Sequence, residues 1–491
     1  MVFSSVEFLF MLFPGTLALY FLLSRLPDKL KGVRDPALNI LLVCASLLFY
    51  AWGEPVLLIL LLTSVLANWL LGLGIARGIA GGKGRKLLLA LAVVLNIGLL
   101  GVFKYAGFAT EMLNAVTGLS LPVPQIALPI GISFYTFQAL SYVIDVYRDP
   151  ALVQKSGFRL LLYISFFPQL IAGPIVRYGD IADQLKSRTL TIDGAAEGFR
   201  RLFIGLGKKI LIADELAVLV NVCFTDSAAH RLPMGFAWLG AIAYLLQIYF
   251  DFSGYSDMAI GMGRIFGFKF PENFNYPYAS LGIKDFWRRW HITLSTWFRE
   301  YLYIPLGGNR KGKGRMLLNQ LIVFFCTGLW HGANLTFVVW GLYNGLFLIL
   351  ESNDILPVRK VKSTIGKIFV RIYTLLIVTV GFVIFRADNL TQANAYLGSM
   401  FSFGGNGFAW GDSRAWREIL PCLTPYFFTI LGVAILGAAP ITPALKGLCA
   451  RRPRLDAVAQ RLSYLWALMM LILCAMSLAA GTYSAFIYFQ F

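Results

Sequence analysis

Apolar stretches recur along the whole of this chain, near 6 to 24, 38 to 50, 56 to 73, 87 to 103, 128 to 146, 200 to 222, 236 to 262, 317 to 331, 335 to 350, 368 to 386, 425 to 442 and 463 to 484. A bilayer's hydrocarbon core is about 30 Å thick and takes roughly 20 apolar residues per crossing helix. With 58% hydrophobic and 14% charged residues over 491 positions, the chain carries more apolar surface than one soluble core can hide. The expectation is an all-α, polytopic transmembrane protein of about twelve spans, with re-entrant and amphipathic helices between them.

A net charge of +18 points to nucleic acid in a soluble protein, so where the charge lies decides its meaning. Basic clusters fall between the apolar stretches, at 25 to 34, 77 to 86, 177 to 209, 264 to 315, 359 to 367 and 446 to 454. Counting helices puts all of them on one side, the cytoplasmic one by the positive-inside rule. Membrane lipid, not nucleic acid, is then the partner of this charge, and both termini are expected outside the cytoplasm. The run 158 to 176 fits only as a re-entrant or in-plane element. Glu7 and basic residues that follow the first apolar stretch make it a span and not a signal peptide. No polar linker interrupts the pattern, so 1–491 reads as one membrane domain. Six cysteines without paired spacing read as apolar fillers, and no metal site is expected.

Three histidines are the scarce chemical resource. His331 lies in GLWHGAN, between two apolar stretches, where an ionisable group is costly and marks a functional position by default. Enclosure there keeps the imidazole uncharged, the form a general base needs; a histidine bonded between helices to fix packing suits the position nearly as well. Gly328 and Gly332 fall on one helical face and invite close approach. His291 follows Arg288 and Arg289 in FWRRWHITLS. These cations suit a phosphate or carboxylate, and the same pattern suits an interfacial helix on anionic lipid. In the segment 264 to 315 aromatic residues alternate with Arg and Lys, as in amphipathic helices with their aromatic faces at the headgroups or a re-entrant cytoplasmic-side region, whose polar backbone must be buried in protein or line a wet cavity. Asp251 and Asp257 call for cationic partners, expected from 264 to 315. His230 reads as a surface residue. Tyr488, in the terminal FIYFQF (486 to 491), reads as an aromatic-belt residue. The sequence lacks a phosphate-binding loop, a nucleophile elbow and a metal cluster.

Taken together, LPIGISFYTFQALSYVIDVYR (128 to 148), FFPQLIAGPIVRY (166 to 178), YFDFSGYSDMAIG (249 to 261), NFNYPYASLGIKDFWRRWHITLSTWFREYLYIPLGGNR (273 to 310), GLWHGAN (328 to 334), IFRAD (384 to 388) and FIYFQF resemble the membrane-bound O-acyltransferase family, in its bacterial, polysaccharide-acetylating branch. The resemblance implies helices around a central tunnel, with a cytoplasmic thioester donor, acetyl-CoA, and acyl delivery at the outer face. The final acceptor would be an exported polysaccharide, reached through an extracytoplasmic O-acetyltransferase partner. It implies catalytic roles for His331 and His291, an acyl relay by Tyr488, donor contacts by Lys284, Arg288 and Arg289, and residence in the bacterial inner membrane. One departure is Asn344, in WGLYNG, where many relatives carry a histidine. A teichoic-acid type D-alanyl transferase using an acyl carrier protein, and a transporter or flippase without chemistry, remain alternatives.

Overall fold

The computed structural model describes residues 3–78, 81–226, 232–402 and 417–481, all helical, turn or irregular and without a strand. Among these, seven helices are long and apolar enough to cross a membrane: Lys31–Ala51, Leu58–Ala76, Gly81–Thr117, Met234–Ile265, Leu335–Ser352, Thr364–Arg386 and Pro453–Ala479. An eighth span forms if Pro425–Ala438 and Ile441–Cys449, bent by 60°, count as one. This is fewer than the twelve expected, for local reasons. Phe8–Ser24 is short for a span. The stretch 200 to 222 is divided among Ile192–Gly207, a π-helical turn Lys208–Ala213 and Asp214–Asp226. The stretch 128 to 146 becomes Ile132–Arg148, at 17 residues also short. The run 158 to 176, outside the twelve, forms two helices too short to cross, Gly157–Ser165 and Phe167–Leu170, with most of its residues buried.

The chain divides into two compact units, one of Met1–Leu202 with Tyr255–Glu272, the other of Phe203–Gly254 with Asn273–Phe491. In the first, Leu58–Ala76, Gly81–Leu100 and Ile132–Arg148 pack together. Buried Asn68 and Asn96 exchange amide hydrogen bonds of 3.2 and 2.7 Å between two of these helices, satisfying polar groups that hydrocarbon would strand. Gly72 leaves room for Tyr142, whose hydroxyl would stand 2.5 Å from any Cβ there. Arg188 donates to Tyr20 Oη, Phe266 O and Asn39 Oδ1 at 3.0, 3.0 and 2.7 Å. The helix Gly81–Thr117 runs for 37 residues and is followed by a wholly exposed extended stretch, 118–128.

In the second unit, Lys313–His331 and Leu335–Ser352 form a hairpin. Asn334 accepts from Thr336 N–H at 3.1 Å and starts the second helix. The helices meet at Gly328 and Gly341, where a Cβ on either would collide with a carbonyl oxygen of the other helix, Phe337 O or Phe324 O. A Cβ on Gly332 would strike the Phe337 ring, so both glycines flanking His331 permit close approach as their spacing predicts. Lys209, 3% exposed at its side chain, lies 2.6 Å from Asp214 and 2.9 Å from Asp251. Asp257, in the first unit, pairs instead with Arg201 at 2.8 Å. The cations expected for these aspartates from 264 to 315 therefore come from positions 201 and 209, because the helical stretches around them pack directly on Met234–Ile265 within each unit.

Candidate functional site

The segment after Asn273 does not turn its aromatic faces outward, as amphipathic helices at the headgroups would. It folds as short pieces, Ile283–Phe286, Ile292–Phe298 and the π turn Arg299–Tyr303, with Phe286, Trp287, Trp290, Trp297 and Phe298 buried. Trp290 packs against Phe286, Phe274 and Phe382 at 5.6, 5.1 and 5.1 Å. The aromatic side chains make a core, which is why they are unavailable to headgroups.

His291 caps the start of Ile292–Phe298 in a left-handed conformation, φ 43° and ψ 53°, and is 0% exposed. Its Nδ1 lies 3.1 Å from Asn273 Oδ1, which also accepts from Thr293 N–H at 3.3 Å and Thr293 Oγ1 at 2.9 Å. A backbone N–H can only donate, so the atom at the centre is the amide oxygen, and His291 Nδ1 must carry a hydrogen. The imidazole then presents a bare lone pair at Nε2, which is buried and has no hydrogen bond among the described residues. Desolvation holds this histidine down at about 3, so the ring is neutral. Phe252 closes its other side, edge-on at 4.6 Å.

His331, 4% exposed, is the last residue of Lys313–His331. Trp330, Trp340 and Phe385 surround its ring at 5.0, 5.1 and 5.1 Å. Trp330 also lies 6.0 Å from the His291 ring, so one indole separates the two histidines. Asn344, at the position where relatives often have histidine, is buried and donates to Trp340 O, one turn back on its own helix, at 2.9 Å.

A cavity of about 550 Å³ opens in the same unit, with Lys284, Trp287, Arg288, Arg299, Thr327 and Ser352 in its wall. Gln320, Phe324 and Thr327 also face it. These three positions and His331 follow the i, i+4, i+7, i+11 row of one helix face, placing His331 one turn beyond the cavity wall. Trp287 Nε1 and Ser352 Oγ are buried there without a hydrogen bond among the described residues, ready for a polar ligand. Arg289 does not line the cavity. Its guanidinium lies 3.1 Å from Asp285 and donates to Asn275 O at 3.4 Å. Arg299, not singled out from sequence, joins Lys284 and Arg288 in the wall from beyond the left-handed turn at His291. That turn leaves no mark in a hydrophobic pattern, though the asparagine in NFNYP supplies its anchor. Tyr488 and His230 lie outside the described residues. No cluster of metal-binding side chains occurs among the described residues.

Fold and site define a multi-pass membrane protein that encloses two histidines beside a cation-lined cavity. Residues 150–360 match the model of MBOAT, the membrane-bound O-acyltransferase family. A Pseudomonas putida protein named "Probable alginate O-acetylase AlgI" is 42% identical, with 100% of each chain covered. The peptidoglycan O-acetyltransferase of Helicobacter pylori is 39% identical over 74% of each chain. The teichoic acid D-alanyltransferase of Bacillus subtilis is 34% identical over 45% of this chain and 58% of its own. The chain belongs to the membrane-bound O-acyltransferase family and is an O-acyltransferase.

Proposed function

We propose that this enzyme takes acetyl from acetyl-CoA at the cytoplasmic face of a bacterial inner membrane and passes it outward. An extracytoplasmic O-acetyltransferase partner would place it on an exported polysaccharide such as alginate, cellulose or peptidoglycan. The observation that carries this reading is the row Gln320, Phe324, Thr327, His331, which runs from a cavity with exposed Arg288 and Arg299 to an enclosed imidazole. Cations at an exposed rim suit the donor's phosphates, and the inner wall suits its thioester arm. Acetyl-transferring relatives match more of the chain than the D-alanyl one, which favours acetyl.

In the reaction, His331 accepts the proton of an acceptor hydroxyl, supplied by Tyr488 or by the partner. The oxygen attacks the thioester carbonyl, a C–O bond forms, the C–S bond breaks, and the proton passes from His331 to the leaving thiolate. His291, with its hydrogen fixed at Nδ1, offers Nε2 only as an acceptor, so it would not protonate the leaving thiolate, and the acceptor hydroxyl's single hydrogen goes to His331. Inverted membrane vesicles given radiolabelled acetyl-CoA should accumulate label as ester on envelope material. His331→Ala should reduce this by about 10²–10⁴-fold at unchanged protein level. Label that persists in His331→Ala would remove the base assignment, and label accepted only from an acyl carrier protein would replace the donor. Tyr488→Phe deletes one oxygen, and undiminished transfer in that variant would exclude the tyrosine relay.

A further inference from the structure

Glu351 sits in the last turn of Leu335–Ser352, 1% exposed. A buried carboxylate is expensive unless its oxygens are bonded, and here main-chain donors fill them. Ile283 N–H donates to Oε1 at 2.7 Å and Lys284 N–H to Oε2 at 3.0 Å. The preceding donor, Gly282 N–H, goes to Thr374 Oγ1 at 2.9 Å. Three successive amides, at the start of the turn that carries Lys284 and leads to Arg288, are thus held by side chains of two spanning helices. Glycine is required at 282, with φ 104° and a would-be Cβ 2.9 Å from Glu351 Oε2. Leu348 and Ser352, on the same helix as the carboxylate, form part of the cavity wall.

We propose that Glu351 is a positioning residue for the donor site: it clamps the 283–284 backbone to the helix Leu335–Ser352 and so fixes Lys284 and Arg288 for the anionic part of a thioester donor. This rests on the reading of the cavity as the donor site. The carboxylate takes no part in the chemistry. Its contribution is geometric, because a cation on an unanchored turn meets the donor's phosphates in many orientations, few of them productive.

The test is acetyl-CoA saturation kinetics on the full-length protein in vesicles, for the parent, Lys284→Ala, Glu351→Gln and the double variant. Glu351→Gln keeps the side chain's size but converts one acceptor oxygen into a donor facing an N–H. It should raise the donor KM by roughly tenfold and leave kcat nearly unchanged. The double variant should fall short of the product of the two single effects, since Glu351 acts in part through Lys284. Thr374→Val, which removes only the Gly282 tether, should move KM the same way by a smaller factor and remains informative if Glu351→Gln does not fold. A fall in kcat at constant KM, or full multiplication of the two effects, would overturn the proposal. If Lys284→Ala and Arg288→Ala both leave the donor KM unchanged, the donor-site reading itself fails; if they raise it and Glu351→Gln does not, only the clamp fails.

Discussion

The hydrogen bond from Thr293 N–H to Asn273 Oδ1 leaves His291 one tautomer, and burial leaves it one charge state. An unfolded chain would bind a proton here near pH 6.5, whereas the folded protein refuses it down to about 3. The stability linked to this residue is therefore complete above about pH 6.5 and drains away as pH falls toward 3, at no more than about 1.4 kcal/mol per pH unit. Melting curves of detergent-solubilised protein between pH 7 and 5 should show a steeper loss for the parent than for His291→Asn, a residue that also tolerates the left-handed backbone. Parallel curves would show that the imidazole is not sequestered. The scarcity of histidine and its apolar flanks made His331 legible from sequence. The Asn273 contact was not, because a hydrogen bond across 18 positions leaves no local pattern.

At the scale of elements, the glycine seam between Lys313–His331 and Leu335–Ser352 determines where His331 ends up. Gly341→Ala places a methyl against Phe324 O and within 3.2 Å of Gly328 Cα. It should cost about 1–3 kcal/mol, the usual range for overpacking, and shift His331 relative to Trp340, so thermal stability and acetyl transfer should fall together. The buried Lys209–Asp214–Asp251 group gives a sharper expectation. Lys209→Met leaves two enclosed carboxylates without their cation and should destabilise by about 3–5 kcal/mol, read as lost folded yield or lowered Tm; a neutral outcome would show that solvent reaches the group. Spans such as Leu58–Ala76 and Thr364–Arg386 were legible because twenty apolar residues admit little else. Which of the two arrangements 273–303 takes is not legible, because alternating aromatic and basic residues look alike whether the rings face lipid or one another. Only the break at His291 and the caps from distant helices distinguish the two cases.

For the molecule as a whole, the basic clusters predict a topology that reporter fusions can test. A cytoplasm-active reporter at Gly82 should be active, and one in 118–128 should be silent, with the opposite pattern for a reporter that needs export; a reversed result would invert the orientation. Enclosure also varies widely among the spans. In Met234–Ile265, 72% of the apolar window is buried, against 11% in Pro453–Ala479, so polar substitutions should be tolerated according to lipid contact in the second and according to packing in the first. The helix Gly81–Thr117 has a further consequence. At 37 residues it is about 55 Å long, well over the hydrocarbon thickness. A span of this length leaves one end beyond the hydrocarbon, and the exposed stretch 118–128 follows it. Once reporter fusions place 118–128 outside the cytoplasm, an epitope grafted there would give antibodies and cross-linkers a handle on spheroplasts, far along the chain from the buried histidines.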